Sequence, residues 1–198
     1  MSSPPTPSRN RRADARRSRA AILAAAVELL DTDPDASVDA IATAAGVSRQ
    51  TVYAHFPSRD RLLAAVLDHL TEETVAAMDA TDPGSGPAAE ALLRLLDAGD
   101  RAAGRHPALL PKLGALPVTP QDDQARHAPV AELLERVIRR GQEAGEFDAG
   151  MPAKWLVTVT IRLAHAASEE TAAGRLSKEE SRQALHTTLL RALGITAS

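Results

Sequence analysis

Three consecutive residues in the N-terminal third of the chain, Arg49, Gln50 and Thr51, have side chains suited to reading the edges of nucleic-acid bases. Arginine presents a fork of donors that matches the two acceptors of guanine. Glutamine pairs one donor and one acceptor with adenine, and threonine can meet a thymine methyl group. The alternative for each is a contact to phosphate alone. Either chemistry requires the three to stand together at the exposed tip of one rigid element.

The stretch from Ser37 to Phe56, SVDAIATAAGVSRQTVYAHF, has the pattern of such an element. Ser37 is an N-cap residue, and Val38, Ile41, Ala42 and Ala45 follow it as an apolar stripe at helical spacing. Gly46 stops that helix where the chain must turn through a conformation that costs a glycine little. Val47 plugs the corner, and Ser48 caps a second helix. In that helix Val52 and Phe56 point inward, leaving Arg49, Gln50, Thr51 and Tyr53 on or near the outer face. The pattern is a helix-turn-helix, whose second helix can enter a DNA major groove.

Read with its continuation, GVSRQTVYAHFPSRDRLL resembles the DNA-binding core of the tetracycline-repressor (TetR) family of transcription factors, over about fifty residues from Ala20 to Leu70. The resemblance implies an N-terminal three-helix DNA-binding domain and a larger C-terminal helical domain for effector binding and dimerisation. It implies backbone-contacting roles for Ser37, Ser48, Tyr53, His55 and Arg59, each with a donor suited to a phosphate oxygen. Ser37 and Ser48 act as caps as well. Gln50 replaces the small residue often found there in the family, which favours a direct base contact. The loop from Asp31 to Ala36, broken by Pro34, departs from the family, which usually has a glycine and an aromatic residue near this turn. The expected partners are a palindromic double-stranded DNA operator, a second copy of the chain, and a small-molecule effector whose binding releases the DNA. The alternative is a constitutive or architectural DNA-binding dimer with no effector.

Composition narrows the rest. The 198 residues include no cysteine, which excludes disulfides, thiolate catalysis and cysteine-based zinc sites. With one Trp, one Tyr and two Phe, and Ala, Leu and Arg abundant, an all-α fold is expected. The best strand candidate, TVTIRL at 158–163, sits inside a longer helical pattern. A polar N-terminus and the lack of a long apolar run predict neither signal peptide nor membrane span, hence a soluble cytoplasmic protein. The net charge of −3 is unevenly spread: residues 1–20 carry six Arg against one Asp, whereas residues 62–198 carry 14 basic against 19 acidic. Attraction for phosphate is therefore concentrated beside the helix-turn-helix.

The expected organisation is a disordered basic arm over 1–15, a helix-turn-helix domain over 16–61 and a helical domain over 62–198. Arg9, Arg11, Arg12, Arg16 and Arg17 would give the arm its phosphate-binding character; the alternative is a solvated tail. A first helix is predicted from about Arg17 to Leu30, and a long one from Ser58 to about Asp79. Further helices follow from Pro87 to near Gly104, from Gln121 or Pro129 to Ala144, from Pro152 to about Thr171, and from Lys178 to Leu193. A short segment at 107–113 and a proline-rich stretch to Pro120 lie between them. Leu156, Val159, Leu163, Leu185, Leu189, Leu190 and Leu193 on the last two helices are expected to be exposed and to form a two-fold four-helix interface, the alternative being intrachain core.

His106, where a short segment meets a long helix, holds a position that in the family often borders the effector cavity. Trp155, Arg162 and His165 are candidates for the opposite wall, with plain core or dimer packing the alternative for Trp155. His165 and Glu169 lie one helical turn apart, but two ligands are too few for a metal. GSGPAA at 84–89 matches a dinucleotide fingerprint without the strand that must precede one. No nucleophile, base or metal motif of an enzyme is visible, so neither catalysis nor a cofactor is expected.

Overall fold

The computed structural model describes residues 7–107, 109, 113 and 119–195. Among these the secondary structure is entirely helical: α1 (Pro7–Thr32), α2 (Val38–Ala44), α3 (Arg49–His55), α4 (Arg59–Asp79), α5 (Ala88–Ala103), α6 (Pro120–Glu143), α7 (Ala153–Ala172) and α8 (Lys178–Ala192). The described residues fall into two units, those within 1–72 and 103–118 forming one and those within 73–102 and 119–198 the other.

The first unit is built on α1 to α3 and the first half of α4. Ile22, Leu23, Ala26, Val27 and Leu30 recur three and four apart on α1, and the helix buries that face against Val38, Ile41 and Ala42 of α2 and Val52 and Phe56 at α3. Leu62, Val66 and Leu70 of α4 complete this core, together with Leu109 and Leu113. Two expectations are corrected here. The boundary placed between residues 61 and 62 falls inside a helix, because three buried side chains beyond it belong to the first core. The basic arm expected to be disordered to Ala15 is helical from Pro7 onward. Alanine and arginine are strong helix formers, proline suits the first turn, and the packed C-terminal half of α1 supplies the nucleus. Residues 1–6 of that arm lie outside the described residues, as does most of the 107–120 segment.

The second unit centres on Leu92, Leu95 and Leu96 of α5, Leu133, Leu134, Val137 and Ile138 of α6, Leu156 and Val157 of α7, and Leu189 and Leu193 of α8. Helix α6 is continuous through Pro129, which settles its start at the earlier of the two expected positions. Thr119 caps it and Pro120 occupies its first turn, so the helix is already established when it meets the internal proline. The 158–163 segment is helical, within α7. Leu156, Leu189 and Leu193, expected on an exposed face, are each buried within the chain's own core, while Val159, Leu163, Leu185 and Leu190 are half-buried. Helices α7 and α8 pack together, Ser181 donating to the Ala167 carbonyl oxygen at 2.5 Å, and this turns part of the apolar stripe inward.

Helix α8 opens with a reciprocal capping box. The Glu180 amide donates to Ser177 Oγ at 3.2 Å, while the Ser177 hydroxyl and backbone amide donate to Glu180 Oε2 at 2.6 and 2.9 Å. The Ser177 hydroxyl above all, and then its backbone N–H, hold the Glu180 carboxyl below the ordinary carboxylate range.

Candidate nucleic-acid interface

The turn between α2 and α3 is built as the residue types require. Ser37 Oγ accepts from the Ala40 amide at 3.1 Å and Ser48 Oγ accepts from the Thr51 amide at 3.1 Å, so each helix begins on a satisfied cap. Gly46 has φ +66°, in the left-handed region. Its amide donates to the Thr43 carbonyl oxygen and the Val47 amide to that of Ala42, the paired bonds of a Schellman motif that closes α2. A side chain at Gly46 meets no steric obstacle, so backbone conformation alone selects the glycine.

The first turn of α3 faces solvent. Arg49 and Gln50 are exposed, and Thr51 is half-buried with its hydroxyl 2.8 Å from Ser48 Oγ. Gln50 therefore projects into solvent from the first turn of α3. Arg49 has two partners within the unit: Nη1 lies 2.5 Å from Asp39 Oδ2 of α2, and its guanidinium carbon sits 5.4 Å from the centroid of the Tyr53 ring. Tyr53 is half-buried, packed against the core and stacked beneath that guanidinium. His55, at the last turn of α3, is half-buried with its ring 6.3 Å from that of Phe56.

Arg59, expected to meet a phosphate, also has partners within the unit. Its guanidinium donates to the carbonyl oxygens of Ala36 and, at 3.3 Å, of Pro34, so the side chain fastens the α1–α2 loop to the start of α4. A side chain so engaged is a structural tie first. Sequence reasoning missed this because the partners are backbone atoms more than twenty residues away. Asp39 was missed as well, since a lone acid in the first turn of a helix reads as favourable helix-end electrostatics. On α1, Arg19 covers the Phe56 ring at 5.3 Å. Arg16, Arg19, Ala20, Leu23 and His69 line an open cleft of about 230 Å³.

The four residues expected around an effector cavity are divided between the two units. His106 belongs to the first unit, where its Nδ1 faces Asp31 Oδ2 at 3.8 Å, both side chains largely covered. Trp155, Arg162 and His165 lie on α7 in the second unit and all are exposed, Trp155 to 57%. The His165 ring meets that of His127 on α6 edge-on at 5.3 Å. No group of three or more potential metal ligands occurs among the described residues, nor is any helix there long and apolar enough to cross a membrane.

A three-helix unit with a capped tight turn, and a second helix presenting polar residues outward, defines a helix-turn-helix domain. Residues 22–66 match the family model described as bacterial regulatory proteins, tetR family. Over this segment, which carries the helix-turn-helix, the chain is similar to that family. It is 43% identical over 81 residues, 41% of its length, to the HTH-type transcriptional repressor LfrR of Mycolicibacterium smegmatis, of which that stretch covers 43%. It is 30% identical over 157 residues, 78% of its length, to the HTH-type transcriptional regulator EthR of the same organism, covering 62%. The chain thus matches less than two thirds of either relative. The solved structure of the TetR-like regulator LfrR from Mycobacterium smegmatis, in complex with proflavine, aligns over 92% of this chain and 99% of that one, with 28% identity and a TM-score of 0.56.

Proposed function

We propose that the chain is a homodimeric, sequence-specific transcriptional repressor that binds a palindromic operator through α3 and is released by a small-molecule effector. The observation that carries this reading is the exposed first turn of α3, where Arg49 and Gln50 project from a turn held by Gly46 and Ser48. In a two-fold dimer the two copies of α3 would stand about 34 Å apart, one duplex turn, so that both enter successive major grooves. Ser37, Ser48, Tyr53 and His55 would hold phosphates, and Arg49, Gln50 and Thr51 would read bases. Arg16 and Arg19, exposed on α1, extend the basic surface that attracts the duplex. The family relation makes a regulator of this kind the expected activity, exercised in the cytoplasm.

Outward-facing residues of α7 and α8, including Trp155, Ala166, Ala184, Thr187 and Thr188, are small or apolar enough to meet a second copy. An effector lowers DNA affinity only if it binds better to a form in which the two α3 helices are misplaced. The test is fluorescence anisotropy with duplexes from the chain's own upstream region, titrated with salt and then with candidate ligands. A steep salt dependence, with one palindrome preferred over random DNA, supports the reading. Equal affinity for all duplexes overturns it, and a retained palindrome preference with no ligand response replaces it by the constitutive binder.

A further inference from the structure

Arg49 is held on two sides at once. Asp39 takes its Nη1 edge at 2.5 Å, and the Tyr53 ring lies against its flat face at 5.4 Å. Asp39 is itself the first-turn acid of α2, on a helix capped at Ser37 and closed at Gly46, so its position is set by a rigid element. Both side chains of the ion pair are more than half exposed, at 60% and 57%. An exposed pair of this kind contributes little to folding, so its effect is to be sought in binding.

We infer that Asp39 is a positioning and specificity-determining residue that holds Arg49 toward base edges and off the phosphate backbone. The inference rests on the proposed DNA-binding role of α3. A free arginine at this tip would neutralise whichever phosphate came nearest and release a counterion, which strengthens binding to every sequence alike. Paired with Asp39, the guanidinium has its charge balanced within the protein, and the carboxylate repels phosphates from the same spot. Asp39 and Tyr53 together fix one edge and the plane of the fork, so little conformational freedom is lost when it meets the two acceptors of a guanine. The ion pair therefore weakens non-specific binding while leaving base recognition available.

The experiment measures binding of the full-length chain to a short random-sequence duplex and to a palindromic duplex selected from a random pool on the wild-type protein, each across a salt series. D39N is expected to bind the random duplex more tightly and to steepen its salt dependence by about 0.9 in the log–log slope, the increment for one added phosphate contact. Raising salt from about 50 to about 200 mM then costs the variant an additional factor of about 3.5. Its preference for the selected palindrome should fall. D39E, which keeps the charge, should keep the wild-type slope, and in an R49A background D39N should leave the slope unchanged. A D39N slope equal to that of the wild type, or an equal change with and without Arg49, overturns the inference while the DNA-binding reading stands. If the wild-type chain prefers no duplex over another, both fall together.

Discussion

Arg59, at the first residue of α4, donates to the carbonyl oxygen of Pro34 in the α1–α2 loop across 25 residues of sequence, at 3.3 Å. With a second bond to the Ala36 carbonyl it satisfies two backbone acceptors in a loop that has few helical bonds of its own. Removing the guanidinium by Arg59→Ala should therefore destabilise the first unit by about 1 to 2 kcal/mol, the scale for charged hydrogen bonds discounted for partial exposure. Thermal unfolding checks this. An unchanged melting temperature combined with weaker binding to all duplexes would make phosphate contact the main role of Arg59.

Base reading by α3 predicts a split between neighbouring residues. Gln50→Ala should reduce discrimination at one operator position by about 1 to 3 kcal/mol while leaving non-specific affinity almost untouched. Tyr53→Phe should weaken operator and random DNA alike. Competition binding against single-base operator variants separates the two, and equal losses on every duplex for both variants would count against base reading.

Gly141, near the end of α6, lies directly against the ring of Phe147, which is buried in the second core. A Cβ there would sit closer than 3.0 Å to three ring carbons, so the ring rather than a flexible tip must move. Gly141→Ala should lower the stability of the second unit by about 1 to 3 kcal/mol through overpacking, despite alanine's better helix propensity. Chemical denaturation is the measurement, and a stabilised variant would show that the Phe147 site yields easily.

The capping box at α8 makes a pH prediction. The Glu180 carboxyl is held below its ordinary range in the folded chain, first by the Ser177 hydroxyl and then by the Ser177 amide. A group with a lowered folded pKa contributes stability that is present above its unfolded value, about 4.3 for a glutamate, and is lost as pH falls through the folded value. The stability difference between wild type and Glu180→Gln should therefore be largest near neutrality and shrink below about pH 4.3. Unfolding curves for both proteins across that range test it; a difference that grows on acidification has the wrong sign.

Loss of the α3 cap gives the simplest check on the helix-turn-helix. Ser48→Ala removes the acceptor of the Thr51 amide and the partner of the Thr51 hydroxyl, and should cost about 1 kcal/mol. Helix signal at moderate temperature should fall in proportion, and Ser48→Asp should recover most of the stability.

What the amino-acid sequence determined by itself is the set of features governed by near neighbours. The caps at Ser37, Ser48 and Ser177, the left-handed turn at Gly46 and the buried stripes of α1 and α4 depend on spacings of one to four residues, which a linear reading preserves. So does the exposure of Gln50, because a helix with Val52 and Phe56 inward must turn that side chain out. Tertiary structure decided whatever depends on which distant surfaces meet. It tied Arg59 to Pro34, set Asp39 beside Arg49, put His106 opposite Asp31, and drew Leu156, Leu189 and Leu193 into the chain's own core. The physical reason is that a helix pattern marks an apolar face without naming its partner, and a charged side chain reveals its reach but not what lies within it.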